Sequence, residues 1–187
     1  MNDFYKRISS NPIIASVYEL DKLDRALESP CEIIFLLTGN IFNLKEISNR
    51  IRLKEKGLYI CVDSIDGFSK DTWGLEYIVK NISPDGILSS KQNLIALSKD
   101  MGVFTIQRLF ISDSNALKSA MNSLKHDRPH AVELLPGIMP NIIEYIVDNT
   151  KISLIASGLI RDKEALDLAF KAGAKAIASS KEEMWQL

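Results

Sequence analysis

The sequence predicts one α/β domain over residues 1–187, folded as a small TIM-like (β/α)8 barrel. Three observations point there. Eight short apolar runs recur along the chain. Several are β-branched and lack clean alternation, which suits parallel strands covered on both faces. Segments of helical period separate the runs, with caps and stop residues at their ends. Eight strand–helix units make a closed barrel the leading architecture, with an open doubly wound sheet as the alternative. The chain is short for a barrel, since about 250 residues is typical. Its helices and loops must therefore be minimal.

The expected strands are IIASV (13–17), IIFLL (33–37), LYICV (58–62), GILS (86–89), VFTIQ (103–107), AVELL (131–135), ISLIA (152–156) and AKAIA (174–178). In SDSNALKSAMNSL, Ala116, Leu117, Ala120, Met121 and Leu124 share a face, and Ser112 or Asp113 can cap the start. In RDKEALDLAFKAG, Ala165, Leu168, Ala169 and Ala172 share a face. Asp162 is the expected N-cap there, and Gly173 stands where a left-handed stop is needed. Lys56-Gly57, before the third strand, follows the same stop logic. LSSKQN after the fourth strand is echoed by ASSKEE after the eighth, but the flanking residues differ, which favours chance.

Composition excludes several classes. The net charge is -1, and 46% of residues are hydrophobic, as expected of one soluble domain with a sizeable core. No stretch is long and apolar enough for a membrane span. The N-terminal MNDFYKRISSNP has no apolar signal region, which argues for a cytoplasmic protein. Cys31 and Cys61 are the only cysteines, too few for a disulfide framework or a thiolate zinc site. A charge near zero gives no electrostatic case for nucleic acid.

In a barrel, function gathers at the C-terminal ends of the strands. The expected strands deliver Asp63; Ser90 and Lys91; Gln107 and Arg108; Glu133, then Pro136-Gly137; Ser157-Gly158; and Ser179-Ser180. The Ser157-Gly158 and Ser179-Ser180 pairs offer small side chains and backbone N–H groups where barrels often hold phosphate. An ordinary glycine turn and serine cap would look the same. Arg108 could grip an anion in a bidentate contact or pair with Glu133 or Asp63. Alternation turns Glu133 inward and Val132 and Leu134 toward the helices. An inward carboxylate must find donors, and Arg108 or ligand hydroxyls could supply them. Pro136-Gly137 stiffens the exit of that strand. Asp63 and Asp66 could bind a divalent ion, although turn and cap roles suit them better. His126 and His130 flank the N-terminal end of the sixth strand, the wrong end for catalysis. Apart from Lys175, second in the last run, no lysine lies in an expected strand to form a Schiff base.

PIIASV, VDSIDG, DGILSSKQNLI, IQRLFISDSNAL, VELLPGIMP, IASGLIRDKEAL and AGAKAIASS follow one another in order. This series resembles the glycerol-3-phosphate-responsive antiterminators, the glycerol uptake operon regulatory proteins of bacteria. The resemblance implies a non-enzymatic barrel that senses glycerol 3-phosphate, needs no further cofactor and acts on leader mRNA to carry transcription past a terminator. It leaves room for a homo-oligomer. It points to Asp63, Ser90, Lys91, Gln107, Arg108, Glu133, Pro136, Gly137, Gly158, Ser179 and Ser180 as the ligand group. Two positions depart from the family pattern, which has Gly-Gly at Ser157-Gly158 and histidine at Cys61, so a different small phosphate stays open. SNRIRLKEKG and LKHDRPH hold basic clusters, interrupted by Glu55 and Asp127, that an RNA backbone could use. A barrel enzyme acting on a small phosphorylated metabolite is the competing reading, kept alive by Asp63 and Glu133.

Overall fold

The structure, a computed structural model, describes residues 3–187. Eight parallel strands close into a barrel in chain order: β1 (Ile13–Val17), β2 (Ile33–Leu36), β3 (Gly57–Cys61), β4 (Gly86–Ser89), β5 (Phe104–Phe110), β6 (Ala131–Leu135), β7 (Ser153–Ser157) and β8 (Ala176–Ser179). The expected (β/α)8 architecture is therefore present, and β8 pairs with β1 to close the ring.

Before β1 lies α1 (Phe4–Ser10), and the connecting helices are α2 (Leu23–Glu28), α3 (Leu44–Leu53), α4 (Thr72–Tyr77), α5 (Gln92–Asp100), α6 (Ser114–Asp127), α7 (Pro140–Thr150) and α8 (Lys163–Lys171). A π-helical turn at Ile78–Ile82 continues α4, and a 3-10 turn at Glu182–Gln186 stands where an eighth connecting helix would follow β8. These short elements are how 187 residues suffice.

Alternation divides the apolar residues into two cores. Val132 and Leu134 join the shell between strands and helices, whereas Ile14, Phe35, Tyr59, Cys61, Leu88, Ile106 and Ile155 fill the interior. The helix α1, absent from the sequence expectation, contributes Phe4 to that interior. Phe4 stacks on Phe104 at 4.8 Å and meets Tyr59 edge-on at 5.4 Å. Fully burying such a ring contributes about 1.5–3 kcal/mol.

Several local expectations hold. Asp113 caps α6 by accepting from the Asn115 and Ala116 N–H groups, and Asp162 caps α8 through Ala165 N–H. Gly173 takes a φ of +106° just past α8. Others need correction. β5 runs three residues beyond its expected end, to Phe110, because Arg108 is neutralised inside the barrel instead of ending the strand. Gly57 opens β3, and Glu55 supplies the left-handed turn with φ 55°. Leu168 lies exposed, and Leu166 and Ala169 form the buried face of α8.

Candidate functional site

The predicted residues separate into four groups. The first is a buried pair. Arg108 and Glu133 are register partners on β5 and β6, and Arg108 Nε donates to Glu133 Oε2 at 2.6 Å. Glu133 is fully buried and Arg108 nearly so. Arg108 Nη1 donates to Cys61 Sγ at 3.5 Å and Nη2 to the Tyr18 hydroxyl at 3.3 Å. Its guanidinium carbon also lies 5.3 Å from the centre of the Phe110 ring. Burial opposes the Arg108 charge, but the Glu133 carboxylate outweighs it and lifts the guanidinium above its ordinary pKa. Burial pushes the Cys61 thiol up despite the Arg108 charge, so it stays a thiol at neutral pH. Burial likewise raises Tyr18. Glu133 Oε1 finds no donor among the described residues.

Gln107 leaves the group. Its neighbour Arg108 faces inward, so alternation turns Gln107 toward the helices. There Nε2 donates to Ser123 Oγ of α6 at 2.6 Å. The sequence expectation ended the strand at 107, where a side chain can still turn to the mouth; the longer β5 removes that freedom.

The third group comprises Asp63, Ser89, Ser90 and Lys91. Ser89 Oγ donates to Asp63 Oδ1 at 2.7 Å, and Ser90 donates to Oδ2 through N–H at 2.7 Å and Oγ at 2.9 Å. Lys91 N–H donates to Ser89 Oγ at 3.0 Å, while the Lys91 side chain is exposed. Asp63 thus clasps the ends of β3 and β4. Among the described residues no group of three or more His, Cys, Asp or Glu side chains gathers as a metal site.

The fourth group surrounds a cavity of about 220 Å³ at the ends of β7, β8 and β1. Ser157, Gly158, Ser179 and Ser180 line it, as does Lys181, which lies just beyond the eighth strand where a phosphate partner would, and so do Ser16, Tyr18, Leu159 and Arg161, which sequence reasoning missed. Alternation in IIASV would have found Ser16, because Ile14 faces the interior two residues before it. Ser16 Oγ is buried without a partner among the described residues. Tyr18 joins this cavity to the buried pair, since it lines the one and touches Arg108 of the other.

Gly137 sets the wall. The Leu135–Pro136 peptide is cis, and Gly137 N–H donates to Ser157 O at 2.6 Å and Gly158 O at 3.1 Å. A Cβ on Gly137 would lie 2.6 Å from the Ser157 nitrogen, so only glycine lets this loop approach β7. Gly158 adopts φ +77° and Leu159 φ +61°, an uncommon conformation for a bulky residue.

The turns after β4 and β8 are alike. Each has Ser-Ser-Lys, and Lys181 N–H donates to Ser179 Oγ at 3.1 Å, as Lys91 does to Ser89. The strand register matches too: Cys61 pairs with Leu88, and Ser157 with Ala178. The first turn holds the Asp63 carboxylate. Two residues beyond β7, where Asp63 stands beyond β3, the chain has Leu159. The second turn faces the cavity instead of a carboxylate.

The basic clusters lie away from this end. Arg52 donates to the Ile82 and Ser83 carbonyls, and Lys56 to those of Ser29 and Cys31. His130 stacks on Phe104 at 4.8 Å at the opposite end of the barrel, and its Nδ1 accepts from Thr105 N–H at 3.0 Å.

The sequence pattern of the glycerol-3-phosphate responsive antiterminators matches residues 13–185. YgcP of Escherichia coli (strain K12), described as uncharacterized, is 31% identical over 180 residues, covering 96% of this chain and 94% of YgcP. The glycerol uptake operon antiterminator regulatory protein of Listeria monocytogenes superposes with a TM-score of 0.91 at 27% identity, covering 94% of this chain and 95% of that one. A glycerol uptake operon antiterminator-related protein of Thermotoga maritima gives 0.84 at 25% identity, covering 94% and 98%. Deoxyribose phosphate aldolase of Aeropyrum pernix, at 12% identity and a TM-score of 0.70 over 98% and 95%, shares the fold alone. With its own pattern matched from β1 to the final turn, the chain belongs to the glycerol-3-phosphate responsive antiterminator family.

Proposed function

We propose that this protein is a cytoplasmic, non-enzymatic sensor of glycerol 3-phosphate, or a closely similar small phosphate, and that the liganded barrel acts on leader mRNA to promote antitermination. The likeness of the two Ser-Ser-Lys turns carries the ligand reading. The turn after β4 uses Ser90 N–H, Ser90 Oγ and Ser89 Oγ to hold the Asp63 carboxylate. The turn after β8 has the same sequence and the same internal hydrogen bond beside a cavity, with no acid in the Asp63 position. A phosphate oxygen there would take the place of the carboxylate. Arg161 and Lys181 on the cavity wall add positive charge. The polyol end then points toward Tyr18, Arg108 and Glu133.

The family supports the regulatory reading over the enzymatic one. None of the eight strands contains a lysine, which is the nucleophile that Schiff-base chemistry of the aldolase type would need. The RNA step rests on the family description. Its test is transcription through a leader terminator with purified protein, with and without glycerol 3-phosphate. Read-through that rises only with both present supports the proposal. Read-through independent of the ligand, or turnover of the ligand by the protein alone, overturns it. Crystals grown with inorganic phosphate test the site: the anion should lie within hydrogen-bond reach of Ser180.

A further inference from the structure

We propose that Glu133 makes the site selective for ligands whose non-phosphate end carries hydroxyl groups, and against their oxidised keto and carboxylate counterparts. This rests on the reading that phosphate binds between β7 and β8.

The argument starts from unmet hydrogen bonds. Glu133 Oε2 is taken by Arg108, but Oε1 is buried and no described residue donates to it. Ser16 Oγ, on the cavity wall, is likewise unpartnered. A buried carboxylate oxygen only accepts, so it needs a donor from elsewhere. The guanidinium cannot balance this demand. Each of its three nitrogens already donates, Nε to Glu133, Nη1 to Cys61 and Nη2 to Tyr18. What stays unmatched is an acceptor.

Tyr18 is half exposed, lines the cavity and touches Arg108, so it marks the route from the cavity to Oε1. A hydroxyl arriving there donates and satisfies Oε1. A ketone offers only lone pairs and leaves Oε1 unmet. A carboxylate adds like charge to a buried anion.

Glu133→Gln makes the distinction sharp. Arg108 Nε still requires an acceptor, so the amide oxygen stays against it. The amide nitrogen then stands where Oε1 was, and an accepting position becomes a donating one.

The test is calorimetric titration of the wild type and Glu133→Gln with glycerol 3-phosphate, dihydroxyacetone phosphate, 3-phosphoglycerate and inorganic phosphate. Leaving a buried polar group unsatisfied weakens binding by about tenfold or more, so the wild type should favour glycerol 3-phosphate over both oxidised ligands by at least about tenfold. In Glu133→Gln the preference should collapse or invert, while inorganic phosphate binds as before. Wild-type affinities that do not distinguish the three organic phosphates overturn the proposal, as do ratios unchanged by the substitution. If Glu133→Gln does not fold, the wild-type ratios decide. If no ligand binds, inorganic phosphate included, the anion-site reading falls and takes the selectivity with it. Phosphate binding with flat ratios removes the selectivity alone.

Discussion

Arg108 and Glu133 face each other across β5 and β6 and share a 2.6 Å hydrogen bond inside a barrel packed mainly with apolar side chains. The sequence placed Arg108 at a strand end, where solvent would soften its loss. Burial changes that expectation. Removing one partner strands the other charge, which costs about 3–5 kcal/mol. Arg108→Ala should lower unfolding free energy by about that amount in urea titrations and abolish tight binding of the phosphorylated ligand. Replacing both residues, as in Arg108→Met with Glu133→Leu, should recover most of the stability but none of the binding. A double variant as unstable as Arg108→Ala would mean that packing, not charge, sets the loss.

Gly137→Ala tests the wall between β6 and β7. The added methyl would meet the Ser157 backbone nitrogen, which cannot rotate away as a side-chain end could. The loop or β7 must shift, taking Ser157 and Gly158 out of register with Ser180. Phosphate affinity should fall by about tenfold or more, in line with the sensitivity of positioned groups to small displacements. Gly158→Ala is the comparison. Its methyl has room, with Leu135 at 3.7 Å, but φ +77° costs about 1–2 kcal/mol. Equal binding losses in the two variants would show that backbone strain, not contact, matters at this wall.

Acid stability should carry a signature from His130. Burial, aided by the Lys99 charge, holds its folded pKa below the ordinary value. Its Nδ1 accepts from Thr105 N–H, a role that protonation removes. Below about pH 6.5 the unfolded chain takes up a proton that the folded one resists. The contribution is thus fully present above that pH and is lost on acidification through the lower folded pKa. Thermal midpoints of the wild type should fall more between neutral and mildly acid pH than those of His130→Asn, which can still accept from Thr105. Parallel curves for the two proteins would exclude a His130 contribution.

Much of the barrel was legible because its strands are buried on both sides. IIASV and AVELL are apolar but for the inward Ser16 and Glu133, and both ends fall where expected. FTIQRLF was harder to bound. Its Gln-Arg step reads as an exit from the core, yet each side chain finds a buried partner on opposite faces of the strand. Gln107 therefore turns to α6 while Arg108 turns to the barrel interior. Helix α1 was missed because Phe4 and Ile8 are apolar for a reason no local pattern reveals: they close the bottom of a barrel formed by distant strands. The echo of LSSKQN in ASSKEE looked accidental in sequence, since the residues around it differ. In space the two turns repeat a hydrogen bond and a strand register. Their difference lies in Asp63 against Leu159, positions too far from either motif to be compared by eye.

That difference supplies the most direct test of the anion site. If the turn after β8 is a donor cradle that lacks a carboxylate, restoring the acid should fill it from within. Leu159 lines the cavity and is exposed, so a polar replacement costs little burial. Its φ of +61° suits aspartate better than leucine, because a short polar side chain is tolerated in that region. Leu159→Asp should thus fold at least as stably as the wild type. Its carboxylate would compete for Ser180, or at minimum repel a phosphate beside it. Either effect should weaken inorganic phosphate and glycerol 3-phosphate together, by about tenfold or more, since both share the anion. Leu159→Asn keeps the shape and the backbone preference without the charge, and should bind both ligands nearly as the wild type does. Calorimetry on the two variants separates the cases. Equal weakening by Asp and Asn would trace the effect to lost apolar contact, and undiminished binding by Leu159→Asp would remove the β7–β8 turns from the phosphate site.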